Sequence, residues 1–146
     1  MNHDDYSNDY IREILAGVQT IAVVGASDKD DRPSNYVTRF LDAQGYRMFA
    51  VNPAAKPGGT IAGVPAYASL ADIPEPIDMV DVFRNSEAAA GVVAEALELG
   101  TLPKVIWLQL GVRNDEAAEV AEAAGVKVVM DRCPKIEHQR LYPDAG

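Results

Sequence analysis

A chain of 146 residues matches the size of one compact domain, and the expected organisation is a single domain over residues 1–146. Hydrophobic residues at 48% and charged residues at 24% exclude a disordered tail or a fibre. The net charge of −9 argues against a nucleic-acid binder, which needs a surplus of cations against phosphate.

The first element is a short amphipathic helix. Ser7 caps it, Ile11, Ile14 and Leu15 recur at helical spacing, and Gly17 ends it. Thr20 to Val24 is an apolar, β-branched run that stops at Gly25-Ala26-Ser27, as expected of a strand buried on both faces. A helix starts near Ser34, with Tyr36, Val37, Phe40 and Leu41 forming a core-facing stripe, and closes at Gly45. Arg47 to Val51 is the second strand. Residues 52–68 hold three prolines and three glycines and read as one long rim loop.

Ile77 to Phe83 reads as the third strand, followed by a helix capped by Ser86 and running to Gly100. Lys104 to Leu110 is the fourth strand, carrying Trp107 as a core residue. Asn114 caps the next helix, whose first turn holds Asp115 and Glu116 where the helix dipole favours them, and Gly125 ends it. Val126 to Met130 is the fifth strand. Parallel neighbours require crossover connections, so this alternation predicts an α/β, Rossmann-like, open and mainly parallel five-stranded sheet with helices on both faces. Repeats, low-complexity tracts and interdomain linkers are not seen.

Residues 1–9 carry three aspartates and no apolar core, so a secretory signal is not expected. No apolar run approaches the ~20 residues of a membrane span. Cys133 is the only cysteine, which excludes an intrachain disulfide and fits a reducing, cytoplasmic setting. With two histidines and one cysteine far apart, a zinc-type metal site is not expected.

In doubly wound sheets ligands bind outside the carboxyl ends of the strands. Seven of the 13 basic residues follow expected strand ends: Lys29, Arg32, Lys56, Arg84, Arg113, Arg132 and Lys135. Asp28, Asp30, Asp31, Asp115 and Asp131 share that rim, so the sign of the local field stays open. Gly25 stands where a dinucleotide fingerprint needs its first glycine, but Ser27 and Asp30 occupy the other two positions. The second strand ends in Asn52-Pro53, which lacks the acid that receives a ribose 2′-hydroxyl in NAD-binding folds. Lys56 suits a phosphate instead, and the backbone around Ser27 suits a pyrophosphate.

Cys133 lies between cations that lower a thiol pKa, yet it has no paired base and reads as structural. His138, beside Glu137, reads as a surface residue. Asp78 and Asp81 sit on opposite faces of an apolar strand and read as hydrogen-bonded structural carboxylates.

Taken in order, Val24-Gly25-Ala26-Ser27, Val51-Asn52-Pro53 with Lys56 and Gly58-Gly59, Val82-Phe83-Arg84, Trp107 to Gly111, and Val129 to Pro134 resemble the CoA-binding domain family. The resemblance covers nearly the whole chain and is to the small stand-alone bacterial members. It extends, more distantly, to the N-terminal domain of the succinyl-CoA synthetase α-subunit. What the resemblance implies is a coenzyme A or acyl-CoA site, with the pyrophosphate near Gly25, Ala26 and Ser27, flanked by Arg32, Asn52 and Pro53. It implies a 3′-phosphate near Lys56, adenine against Phe83 and Arg84, and a pantetheine arm passing Gln109, Leu110 and Gly111. The synthetase's second domain, with its phosphorylated histidine, is not expected here, and His3 and His138 do not replace it. Non-catalytic binding is therefore the leading expectation. The alternatives are an NAD(P)-binding oxidoreductase or redox sensor, and an acyl-CoA ligase component needing a partner subunit. The sequence leaves the oligomeric state, including a homo-oligomer, open.

Overall fold

The computed structural model describes residues 1–143; the last three residues of the expected 1–146 domain lie outside the described residues. The elements run α1 (Asn8–Gly17), β1 (Thr20–Val24), α2 (Pro33–Ala43), β2 (Arg47–Val51), β3 (Thr60–Ile61), β4 (Val64–Tyr67), β5 (Met79–Val82), α3 (Ser86–Leu97), β6 (Val105–Leu108), α4 (Asp115–Ala123), β7 (Lys127–Val129) and α5 (Pro134–Leu141). The sheet order is β3-β4-β2-β1-β5-β6-β7, with only the β3–β4 pair antiparallel. The class is the expected α/β, Rossmann-like one, but the sheet has seven strands rather than five. The extra pair is a hairpin inside the stretch expected to be one loop. Ala62 and Gly63 both take positive φ (53° and 81°), as a two-residue hairpin turn requires, and Val64 and Ala66 turn inward while Pro65 faces out. Proline and glycine density masked a short edge element.

Alternation along the central strands creates two cores. Ala22, Val24, Phe49, Val80, Val82, Ile106 and Leu108 pack under α3 and α4. Ile21, Val23, Met48, Ala50, Met79, Trp107 and Val129 pack with Ile11 and Ile14 of α1 and Val37 and Leu41 of α2. Trp107 is fully buried, as expected, and its indole N–H donates to the Arg132 carbonyl at 2.9 Å. The edge strand β7 is covered by the N-terminal segment: Tyr10 Oη donates to the Val128 carbonyl (2.8 Å), and Tyr6 Oη accepts the Met130 N–H (2.9 Å). His3 bridges Tyr6 Oη (2.6 Å) and Glu122 Oε1 (2.8 Å) to hold that segment down.

Several local expectations are corrected. The helix expected to be capped by Ser86 is capped by Asn85, whose Oδ1 accepts the Ala88 N–H at 2.7 Å, while Ser86 is its first residue and its Oγ accepts the Arg113 N–H. Helix α5 was not anticipated, because its stripe is short. It buries His138, expected at the surface, among the rings of Phe40, Tyr46 and Tyr142, and that burial holds the imidazole pKa below its ordinary value. Tyr36, expected in the core, is 43% exposed.

The two strand carboxylates behave differently. Asp78 Oδ2 accepts the Gln19 and Thr20 N–H groups (2.8 and 3.3 Å), as a structural carboxylate should. Asp81, paired in register with Val23 and Trp107, is fully buried and neither oxygen has a hydrogen-bond partner. Desolvation raises its pKa well above the ordinary carboxylate range, so the folded protein favours the neutral acid. Between the ordinary and the raised pKa the native state holds a proton the unfolded chain has released. This contribution to stability is therefore complete below the ordinary carboxylate pKa and declines as pH rises through that window, by up to about 1.4 kcal/mol per pH unit. Urea unfolding between pH 5 and 7 should show that decline in the wild type, and Asp81→Asn should remove it.

Candidate functional site

The sheet reverses its winding at β1. From β1 the chain moves outward to β2 and the β3–β4 hairpin, then returns to place β5 on the other side of β1. Loops leaving the carboxyl ends of β1 and β5 therefore diverge, and a crevice opens between them. A cavity of about 880 Å³ occupies this edge, within the range of small-molecule sites. It extends from Asn52, after β2, past the loops that follow β1, β5 and β6, to Cys133 and the first turns of α5.

Gly25 sets the floor. Its φ is +89°, and a Cβ there would lie 2.4 Å from the Phe83 carbonyl oxygen, so the turn after β1 approaches the end of β5 more closely than any side chain permits. The Gly25 and Ala26 N–H groups both donate to the Val51 carbonyl (3.1 and 3.3 Å), tying the turn to β2. Asn52 completes the tie: its Nδ2 donates to the Ala26 carbonyl (3.0 Å) and its Oδ1 accepts the Ala54 N–H (2.9 Å). The Asn35 amide donates to the Ser27 carbonyl (2.9 Å) and fixes the loop to α2.

Of the helices that begin at this cavity, α2 and α5 differ from the others at their N-termini. Ser7, Asn85 and Asn114 cap α1, α3 and α4 through their side chains, whereas Arg32 and Cys133 give no such bond to α2 and α5. Each of these two helices starts with a proline, Pro33 or Pro134. The positive end of α2 thus faces the cavity without a side-chain acceptor from its cap residue.

Charge is sorted along the rim. Lys29, Arg32, Arg84 and Lys135 line the cavity, and among the described residues no carboxylate does. Of the acids expected to share the rim, three are engaged elsewhere: Asp28 accepts the Ala62 N–H (2.9 Å), Asp131 accepts the Gly111 N–H (2.6 Å) and Asp115 pairs with Arg113, while Asp30 and Asp31 are exposed and lie outside the lining. Arg113 also pairs with Asp4 (2.8 Å), and Arg132 donates to the Asp4 and Asp131 carbonyls beneath the N-terminal segment. Among the described residues, Lys29, Arg32 and Arg84 form no ion pair. A protein of net charge −9 therefore presents a local cationic cavity.

Nine of the expected site residues line it: Gly25, Ala26, Ser27, Arg32, Asn52, Phe83, Arg84, Gln109 and Leu110. Pro53, Lys56 and Gly111 are exposed and lie outside the lining. Gln109 is buried, and its Oε1 has no hydrogen-bond partner, an unmet acceptor in the cavity wall. Ile136 and Gln139 enter the lining because α5 exists, and Tyr36 because it faces outward. Pro134, shortly after the last strand, was the available signal for that helix.

Comparison with known proteins agrees with this layout. The profile of the family described as CoA binding domain matches residues 19–139. The uncharacterized protein YneT of Bacillus subtilis (strain 168) is 43% identical over 128 residues, covering 88% of this chain and 91% of that protein. The solved structure of cell-free ID.343 from Thermus thermophilus is 42% identical with a TM-score of 0.85, covering 94% of this chain and all of that one. Acetate–CoA ligase [ADP-forming] I of Archaeoglobus fulgidus is 28% identical over 123 residues; these cover 79% of this chain but 18% of the ligase.

The Gly25 contact makes its own prediction. Gly25→Ala meets both the ~1–2 kcal/mol cost of a left-handed non-glycine residue and the carbonyl clash. Chemical denaturation should show a loss of about 2 kcal/mol or more, whereas Gly17→Ala, with open space around it, should not destabilise.

Proposed function

The chain belongs to the CoA binding domain family, and from that premise we propose that it binds coenzyme A along the carboxyl edge of the sheet, as a binding protein rather than as a self-sufficient enzyme. The observation that carries the reading is the cavity lined by Lys29, Arg32, Arg84 and Lys135 at the point where the sheet reverses.

The pyrophosphate would lie against Gly25, Ala26 and Ser27 at the start of α2, where helix-end N–H groups and Arg32 and Lys29 favour negative charge. Phe83 and Arg84, side by side at the end of β5, offer a ring face and a guanidinium plane to the adenine. Lys56, exposed on the rim loop between β2 and β3 beyond Asn52 and Pro53, would take the 3′-phosphate. The pantetheine arm carries amide N–H groups and would run past Gln109, Leu110 and Gly111, where the unpartnered Gln109 Oε1 would accept one of them.

NAD is the weaker occupant. Asn52 stands where that cofactor needs an acid, and its amide is committed to Ala26 and Ala54. Binding is favoured over turnover because the two histidines are engaged away from the cavity, His138 among aromatic rings and His3 between Tyr6 and Glu122. The relationship to acetate–CoA ligase covers under a fifth of that enzyme, so it supports a shared CoA module and not the ligation.

Isothermal titration with CoA, 3′-dephospho-CoA and NAD tests the reading. CoA should bind best, dephospho-CoA more weakly and NAD not measurably. Arg32→Ala should weaken CoA by roughly 10- to 100-fold, the cost of one charged hydrogen bond. Lys56→Ala should erase the preference for CoA over dephospho-CoA. Binding of NAD without CoA would overturn the assignment.

A further inference from the structure

The cavity changes character along its length. At the β1 end it presents Lys29 and Arg32; at the β6–β7 end it presents Leu110, Val112 and Ile136, together with Lys135, whose ammonium lies over the Tyr36 and Phe40 rings. Six large hydrophobic residues remain exposed on the described surface, and three of them, Tyr36 (43%), Leu110 (58%) and Ile136 (52%), line this one cavity. Tyr36 reaches this end from α2, since the Lys135 ammonium lies 5.2 Å from its ring centre and so links it to the first turn of α5. Scattered exposed hydrophobic residues are ordinary, but three that line one cavity leave apolar surface there without cover.

We propose that the site is shaped for a CoA thioester bearing an apolar acyl chain, which lies over Leu110, Ile136 and Tyr36. This rests on the CoA reading, and it follows from the direction that reading gives the ligand. With the phosphates at the cationic end, the pantetheine arm crosses β6 beside Gln109. Its sulfur then arrives where the lining turns apolar, and a free thiol would leave Ile136 and Tyr36 bare. An acyl chain continues the ligand onto that surface. Each fully buried methylene strengthens binding about fourfold, and a chain resting on a half-open surface gains a fraction of that. Octanoyl-CoA should therefore bind ~10-fold or more tightly than CoA, with butanoyl-CoA between them.

Titration of the full chain with CoA, butanoyl-CoA and octanoyl-CoA, repeated with Ile136→Ser, tests the proposal. The octanoyl-to-CoA affinity ratio is read within each protein, so any change common to both ligands cancels. A ratio of ~10 or more in the wild type that falls toward one in Ile136→Ser supports the acyl site. CoA binding with no gain for octanoyl-CoA overturns it and leaves the CoA reading intact. Failure of both ligands to bind overturns the CoA reading itself, and this proposal with it. Sedimentation velocity of the unliganded protein covers the other occupant: a dimer that Ile136→Ser dissociates would assign the patch to a second copy of the chain and overturn the proposal.

Discussion

The close approach of Gly25 to the Phe83 carbonyl is the contact on which the rest of the site depends. It joins the ends of β1 and β5, the two strands between which the sheet reverses direction. A side chain at Gly25 would push these ends apart. Because the Gly25 and Ala26 N–H groups also hang from Val51, such a displacement would pass to β2 and, through Asn52, back into the same loop. Position 25 thus fixes the cavity floor, the start of α2 and the spacing of Ser27 from Arg84 together.

Electrostatics depend on a second sorting, carried out by the periphery. The N-terminal segment covers the β7 edge and at the same time engages Arg113 and Arg132 through Asp4. Asp28 and Asp131 are turned into backbone bonds that stabilise the hairpin and the loop after β6. What faces the cavity is the remainder, Lys29, Arg32, Arg84 and Lys135. An acidic protein can in this way attract an anionic nucleotide at one edge while its other surfaces repel polyanions.

Much of this was legible in the chain itself. The apolar runs at Thr20–Val24, Arg47–Val51 and Val105–Leu108 are buried on both faces and separated by amphipathic stretches, and a parallel sheet is the arrangement that satisfies both features. Gly25 and the loop after it were readable for the same reason, since a strand end followed by a small residue and a helix start is a local pattern. The β3–β4 hairpin was not readable, because its strands are two and four residues long and lie in a stretch dense in proline and glycine. Helix α5 was missed because its stability comes from His138 and Leu141 packing on α1 and α2 rather than from a strong local stripe.

The sequence by itself determined the fold class, the order of the five central strands with the helices between them and the residues that emerge at the carboxyl edge, since these follow from periodicity, strand-end glycines and the crossover requirement. Tertiary structure alone decided which of seven candidate cations face the cavity, that Asp81 is buried without a partner, and that Tyr36, Leu110 and Ile136 all line it. Each of those outcomes depends on through-space neighbours from separate segments, and pairing between distant segments leaves no trace in local spacing.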